Sequence, residues 1–188
     1  VRIMRTSLKD VVILVPQPFS DERGFFTRTF DAEIFDDHLG TRGYSATFIQ
    51  DSQSRSKQGT IRGMHGRSGA GEAKLVRCAN GAVYDVVVDI RPDSPTFGDH
   101  VGLQLDDSEF LHLYLPPGFL HGFQALTPTA DVCYRINRAH NPAEDLSVAF
   151  DDPDLAITWP LPPTAVSARD RAAGSWRRLV SQLDPPAT

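Results

Sequence analysis

Val83-Tyr84-Asp85-Val86-Val87-Val88-Asp89-Ile90 is the stretch whose reading decides the fold. β-branched residues and a tyrosine dominate it, which suits a pleated, packed strand. Side chains alternate between strand faces, so Val83, Asp85, Val87 and Asp89 share one side and Tyr84, Val86, Val88 and Ile90 the other. An aspartate carried among valines is either an edge device or part of a polar barrel interior.

Similar runs lie on either side of this strand, whose pattern extends over Ala82 to Arg91. Val11 to Val15 ends at Pro16, and Ala73 to Cys78, Val101 to Leu105, Phe110 to Leu115, Val132 to Asn137 and Leu146 to Phe150 are set apart by Gly, Asn, Asp and Pro turns. Helical signals are few. Asp31 to Gly40 reads as a short helix with Asp31 as N-cap, Glu33 at the positive end and Gly40 as its stop. A second helix is expected around Ser175 to Leu183, where Trp176, Leu179, Val180 and Leu183 share a face. The pattern predicts a mainly β protein, a jelly-roll barrel or sandwich with a few short helices. It has no internal repeat, so residues 1–183 are expected to form one domain and residues 184–188 a frayed tail.

Composition limits the classes of function. The 188 residues are 40% hydrophobic and 23% charged, as in ordinary globular proteins. A net charge of -5 argues against broad nucleic-acid binding, although a few convergent arginines can still attract an anionic small molecule. Cys78 and Cys133 sit in apolar stretches and read as buried reduced thiols. No stretch has the length and apolarity to span a membrane, and the first six residues show no signal-peptide pattern, so a cytoplasmic enzyme is expected.

Four segments carry chemistry: Phe19-Ser20-Asp21-Glu22-Arg23-Gly24-Phe25-Phe26; Thr60-Ile61-Arg62-Gly63-Met64-His65 with Lys74-Leu75-Val76-Arg77-Cys78; Leu115-Pro116-Pro117-Gly118-Phe119-Leu120-His121-Gly122-Phe123; and Val166-Ser167-Ala168-Arg169-Asp170. With Asp85 to Gly98 between them, they resemble, in order and spacing, the dTDP-4-dehydrorhamnose 3,5-epimerase family. The resemblance runs from about Val11 to Asp170. It implies a cupin-type jelly roll, a homodimer, and epimerisation of a nucleoside-diphospho-4-keto-6-deoxyhexose without a cofactor.

Epimerisation beside a ketone needs a base, an electrophile for the developing enolate and an acid on the opposite face. The resemblance assigns His65 as base, Asp170 as its partner, Lys74 to the enolate oxygen and Tyr134 as the second proton carrier. It places Phe19, Arg23, Phe26, Gln50, Arg62, Asp85 and His121 around the substrate, with Arg23 and Arg62 suited to a diphosphate. Read without the resemblance, the same residues have plainer roles. His65 is then a structural hydrogen-bonder, Asp170 a turn or cap residue, Tyr134 a barrel aromatic and Lys74 a solvated strand-end lysine.

Some positions depart from the family pattern. Gly66 and Arg67 follow His65 where an aromatic and a glutamine are usual, Arg28 stands for a glutamate and Ser52 for an asparagine. The stretch around Ala139 lacks the usual tyrosine. These departures predict altered recognition of the nucleotide with the reaction type kept. Three other readings remain: a mono-epimerase acting at one carbon, a non-catalytic sugar-nucleotide-binding cupin, and a metal-dependent cupin. For the last, the close His-x-His pair is missing, leaving His65, His121 and Glu72 as ligand candidates, and no metal is expected.

Overall fold

The computed structural model describes residues 1–39 and 47–183; the expected helix stop at Gly40 and the tail at 184–188 lie outside the described residues. Two antiparallel sheets face each other. The first has the order β1 (Arg2–Arg5), β2 (Val12–Val15), β10 (His112–Leu115), β7 (Lys74–Asn80), β12 (Thr129–Ile136) and β5 (Gln50–Lys57). The second runs β13 (Asp145–Ser147), β6 (Thr60–Arg67), β11 (Phe119–Ala125), β8 (Ala82–Asp89) and β9 (His100–Asp106), with β14 (Ala165–Val166) parallel to β6. A separate hairpin of β3 (Phe19–Asp21) and β4 (Gly24–Phe26) stands apart from both. This is the mainly β arrangement expected from the strand pattern, in the cupin-type form that the resemblance implies.

The decisive strand is β8, and its alternation is realised in full. Val83 and Val87 join the core between the sheets with Val76, Leu113, Phe123 and Val132. Val86, Val88 and Ile90 point the other way, into a cluster with Met64, Leu120, Leu155 and Leu179. Helix α3 (Trp176–Leu183) closes that outer cluster through Leu179. Helix α1 (Ala32–Leu39) seals the opposite sheet, where Phe35 packs with Val12, Leu14, Leu75 and Tyr114. Its start is as read: Asp31 Oδ1 accepts the N–H groups of Glu33 and Ile34 at 3.1 and 3.3 Å. Each sheet is thus covered on both faces, and Asp85, wholly buried on a central strand, belongs to a polar barrel interior. Cys78 and Cys133 are buried and unbridged, and burial pushes the Cys78 thiol up to about 11.

One irregularity positions the site. His65 pairs with His121, but Arg62 pairs with Phe123, so β6 spends three steps where β11 spends two. The extra residue is a bulge at Gly63-Met64 that reverses the parity of the strand. Thr60 and Arg62 before it, and His65 and Arg67 after it, therefore all line one cavity, while Met64 enters the outer cluster. Glycine is required here. A Cβ on Gly63 would lie 2.6 Å from the Cα of Gly122, at a φ of +139°. Gly63→Ala is expected to cost about 1–3 kcal/mol through overpacking, or roughly 2–12 °C in Tm for a chain of this size, readable by thermal unfolding.

Candidate active site

A cavity of about 610 Å³ opens at this end of the barrel. Strand β6 supplies Arg62 and His65, β7 Lys74, β11 His121, β12 Tyr134, and the short helix α2 (Ala168–Arg171) Asp170. His65 and Asp170 lie 105 residues apart in sequence, yet His65 Nε2 and Asp170 Oδ1 are 2.6 Å apart. The fold fixes Asp170 firmly. Ser167 caps α2 by accepting the Asp170 N–H at 3.0 Å, and Asp170 Oδ2 accepts the Gly63 N–H at 3.4 Å. The carboxyl is 5% exposed and the imidazole 36% exposed, so the histidine is the member presented to the cavity.

Burial is the largest influence on His65 and lowers its pKa from the usual 6.5; Asp170 pushes it back up, while Lys74 and Arg169 push it further down. The balance favours a neutral imidazole at physiological pH, the form that can accept a proton. If the Nε2 proton is given to Asp170, the lone pair sits on Nδ1.

His121, beside His65 in the register, has its own carboxylate: Nε2 lies 2.9 Å from Asp85 Oδ2. Arg62 Nε donates to Ser56 Oγ at 3.0 Å and its terminal nitrogen to the Arg55 carbonyl at 3.2 Å, which lays the guanidinium along β5. Tyr134 packs at the edge of the inner core and lines the cavity. All four residues assigned to chemistry therefore meet at one cavity with Arg62, and Asp85 stands behind His121.

Five assigned substrate-holding residues do not line it: Asp85 is wholly buried behind His121, and the other four lie elsewhere. Phe19 and Phe26, 72% and 64% exposed, sit on the separate β3–β4 hairpin. Arg23, at the turn of that hairpin, pairs with Asp21 at 3.1 Å in solvent. Gln50 begins the edge strand β5 and is exposed.

Sequence reasoning missed a group of charges on the cavity wall. Arg67 Nε donates to Glu72 Oε2 at 2.7 Å and its terminal nitrogen to Asp145 Oδ1 at 2.8 Å. Lys74 Nζ is 3.0 Å from Glu72 Oε1, and Arg169 reaches Asp145 Oδ2 at 2.7 Å. The signal available was positional: Arg67 lies two residues beyond His65 on the same strand, and Arg169 directly precedes Asp170. Glu72, considered as a metal ligand, is engaged by these two cations. Among the described residues no three His, Cys, Asp or Glu side chains are grouped to hold a metal. Of the departures from the family pattern, Arg28 is tied to Asp31 at 2.8 Å, Ser52 pairs with Tyr134 across β5 and β12, and Ala139 is exposed.

The chain as a whole is similar to several known proteins. Residues 5–178 match the family model described as dTDP-4-dehydrorhamnose 3,5-epimerase. A protein of that name from Salmonella typhimurium is 40% identical over 173 residues, covering 91% of this chain and 93% of its own length. A dTDP-4-dehydrorhamnose 3-epimerase from Streptomyces niveus is 36% identical, covering 92% of this chain and 82% of its own. Among solved structures, a dTDP-6-deoxy-D-glucose-3,5-epimerase from Legionella pneumophila in complex with dTDP-4-keto-L-rhamnose superposes with a TM-score of 0.91 at 37% identity. It covers all of this chain and 98% of its own.

Proposed function

This chain belongs to the dTDP-4-dehydrorhamnose 3,5-epimerase family and is a sugar-nucleotide epimerase, and from that premise we propose that the cavity described above carries out the proton transfers. His65, as the neutral base, takes the proton α to the C4 ketone onto Nδ1. Asp170 holds the ring and stabilises the imidazolium that results, as carboxylates do in histidine dyads. The electron pair left on carbon moves onto the ketone oxygen, and Lys74 stabilises that oxyanion. Tyr134 returns a proton to the opposite face, which inverts the carbon. His121, held by Asp85 behind it, lines the cavity, and Arg62 meets the diphosphate. The observation that carries this reading is the 2.6 Å His65–Asp170 contact at a cavity also lined by Lys74 and Tyr134.

The reading extends to assembly and substrate. Phe19, Arg23 and Phe26 match substrate-holding positions yet stand on an exposed apolar hairpin outside their own cavity. A homodimer that seats this hairpin at a neighbouring chain's cavity accounts for both facts. The unbridged, buried thiols agree with a cytoplasmic setting. The substrate is a dTDP-4-keto-6-deoxyhexose or the same sugar on another nucleotide. The loss of an aromatic platform near Ala139 favours weaker discrimination among bases.

In heavy water with dTDP-4-keto-6-deoxyglucose, proton NMR is expected to show deuterium entering at both C3 and C5. Entry at one carbon alone would make the protein a mono-epimerase, like the relative from Streptomyces niveus. No entry, while nucleotide still binds, would overturn the catalytic reading.

A further inference from the structure

Lys74 is a long, flexible side chain with three donors, so placing its ammonium at one point requires outside help. That help is visible. Glu72 Oε1 holds Nζ at 3.0 Å, and the other oxygen of the same carboxylate is held by Arg67 Nε at 2.7 Å. The side chains of Arg67, Glu72 and Lys74 are 9%, 7% and 15% exposed. Charges so deeply placed are costly to desolvate, and their attraction offsets that cost only when the geometry is good. Arg67 is anchored in turn, donating to Asp145 Oδ1 and to the Asn141 carbonyl, each at 2.8 Å. An unbroken series of charge-assisted bonds therefore runs from the β13 strand, across β6, to Lys74 on β7.

The charges matter as well as the geometry. A carboxylate paired with Lys74 alone would quench the positive charge that an enolate oxygen needs. With Arg67 on its far side Glu72 is shared between two cations, and with Arg169 on Asp145 the cluster sets three cations against two carboxylates and keeps a net positive charge.

We propose that Arg67 and Glu72 form a buried clamp that positions Lys74 towards the reacting oxygen, which makes both of them positioning residues for the epimerisation. This rests on the role of Lys74 given above.

The test is a cycle of Glu72→Gln and Lys74→Ala, singly and together, read by steady-state kinetics, with thermal unfolding as a check on the fold. Glu72→Gln is expected to lower kcat roughly 10- to 100-fold, the scale of a misplaced catalytic group, with KM changed by less than about threefold. In the Lys74→Ala background the same substitution is expected to add nothing, because residues acting as a unit are not additive. A multiplicative loss in the double variant would overturn the clamp. So would a silent Glu72→Gln beside a slow Lys74→Ala, with the Lys74 assignment left standing. An unimpaired Lys74→Ala would remove that assignment and the clamp together. If Glu72→Gln unfolds at the assay temperature, Arg67→Gln replaces it in the same cycle, with the same outcomes expected and the same ones decisive.

Discussion

His65→Ala slows deuterium entry at both C3 and C5 by about 10²–10⁴-fold, the usual contribution of a positioned base. One base serving both carbons requires the two rates to fall together. Binding of dTDP, followed by calorimetry, is expected to change only a few-fold, because the proposed nucleotide contacts are made by other groups. The pH profile supplies a second check. The lowered pKa of His65 means that kcat/KM declines only as pH falls below 6.5, when the ring gains its proton. Asp170 pushes that pKa upward, so Asp170→Asn moves the acid limb to still lower pH while depressing the plateau. Complete loss of nucleotide binding in His65→Ala would mean that the residue supports the fold and not the chemistry.

Tyr134→Phe separates taking a proton from returning one. The ring packs against the inner core and stays in place in the variant, so only the hydroxyl is lost. Proton abstraction by His65 is expected to continue within a few-fold, while formation of inverted product drops by about 10²-fold. In heavy water this appears as deuterium entering without inversion, because His65 can return a proton to the face it came from. An equal fall in exchange and inversion would remove Tyr134 from the role of proton carrier.

Much of the fold could be read from local chemistry. The alternation along β8 placed Val83 and Val87 against Val86 and Val88, and the Asp31 cap marked the start of α1. Strand β5 was missed because Gln-Asp-Ser-Gln-Ser-Arg-Ser-Lys contains no apolar residue to alternate. It is a sheet edge, and its inward positions include Ser54 on a polar cavity and Ser56 under Arg62. Strands β6 and β11 were hidden for another reason: glycines and a parity change interrupt the two-residue period on which strand recognition depends. The dyad was reached only through resemblance, since no local pattern links His65 to Asp170. The Arg67–Glu72–Lys74 trio was legible only as an oddity at position 67, because its meaning lies in contacts between β6, β7 and the loop that joins them.

The bulge at Gly63-Met64 also makes the backbone path of β6 a chemical variable. Straightening that bulge with every residue kept would leave each side chain of the site present in the sequence, yet turn His65 towards the outer cluster and bring Met64 to the cavity. The proposed base can therefore leave the cavity without any substitution, by a change of backbone path alone. The bulge is as much a part of the proposed site as the imidazole it aims.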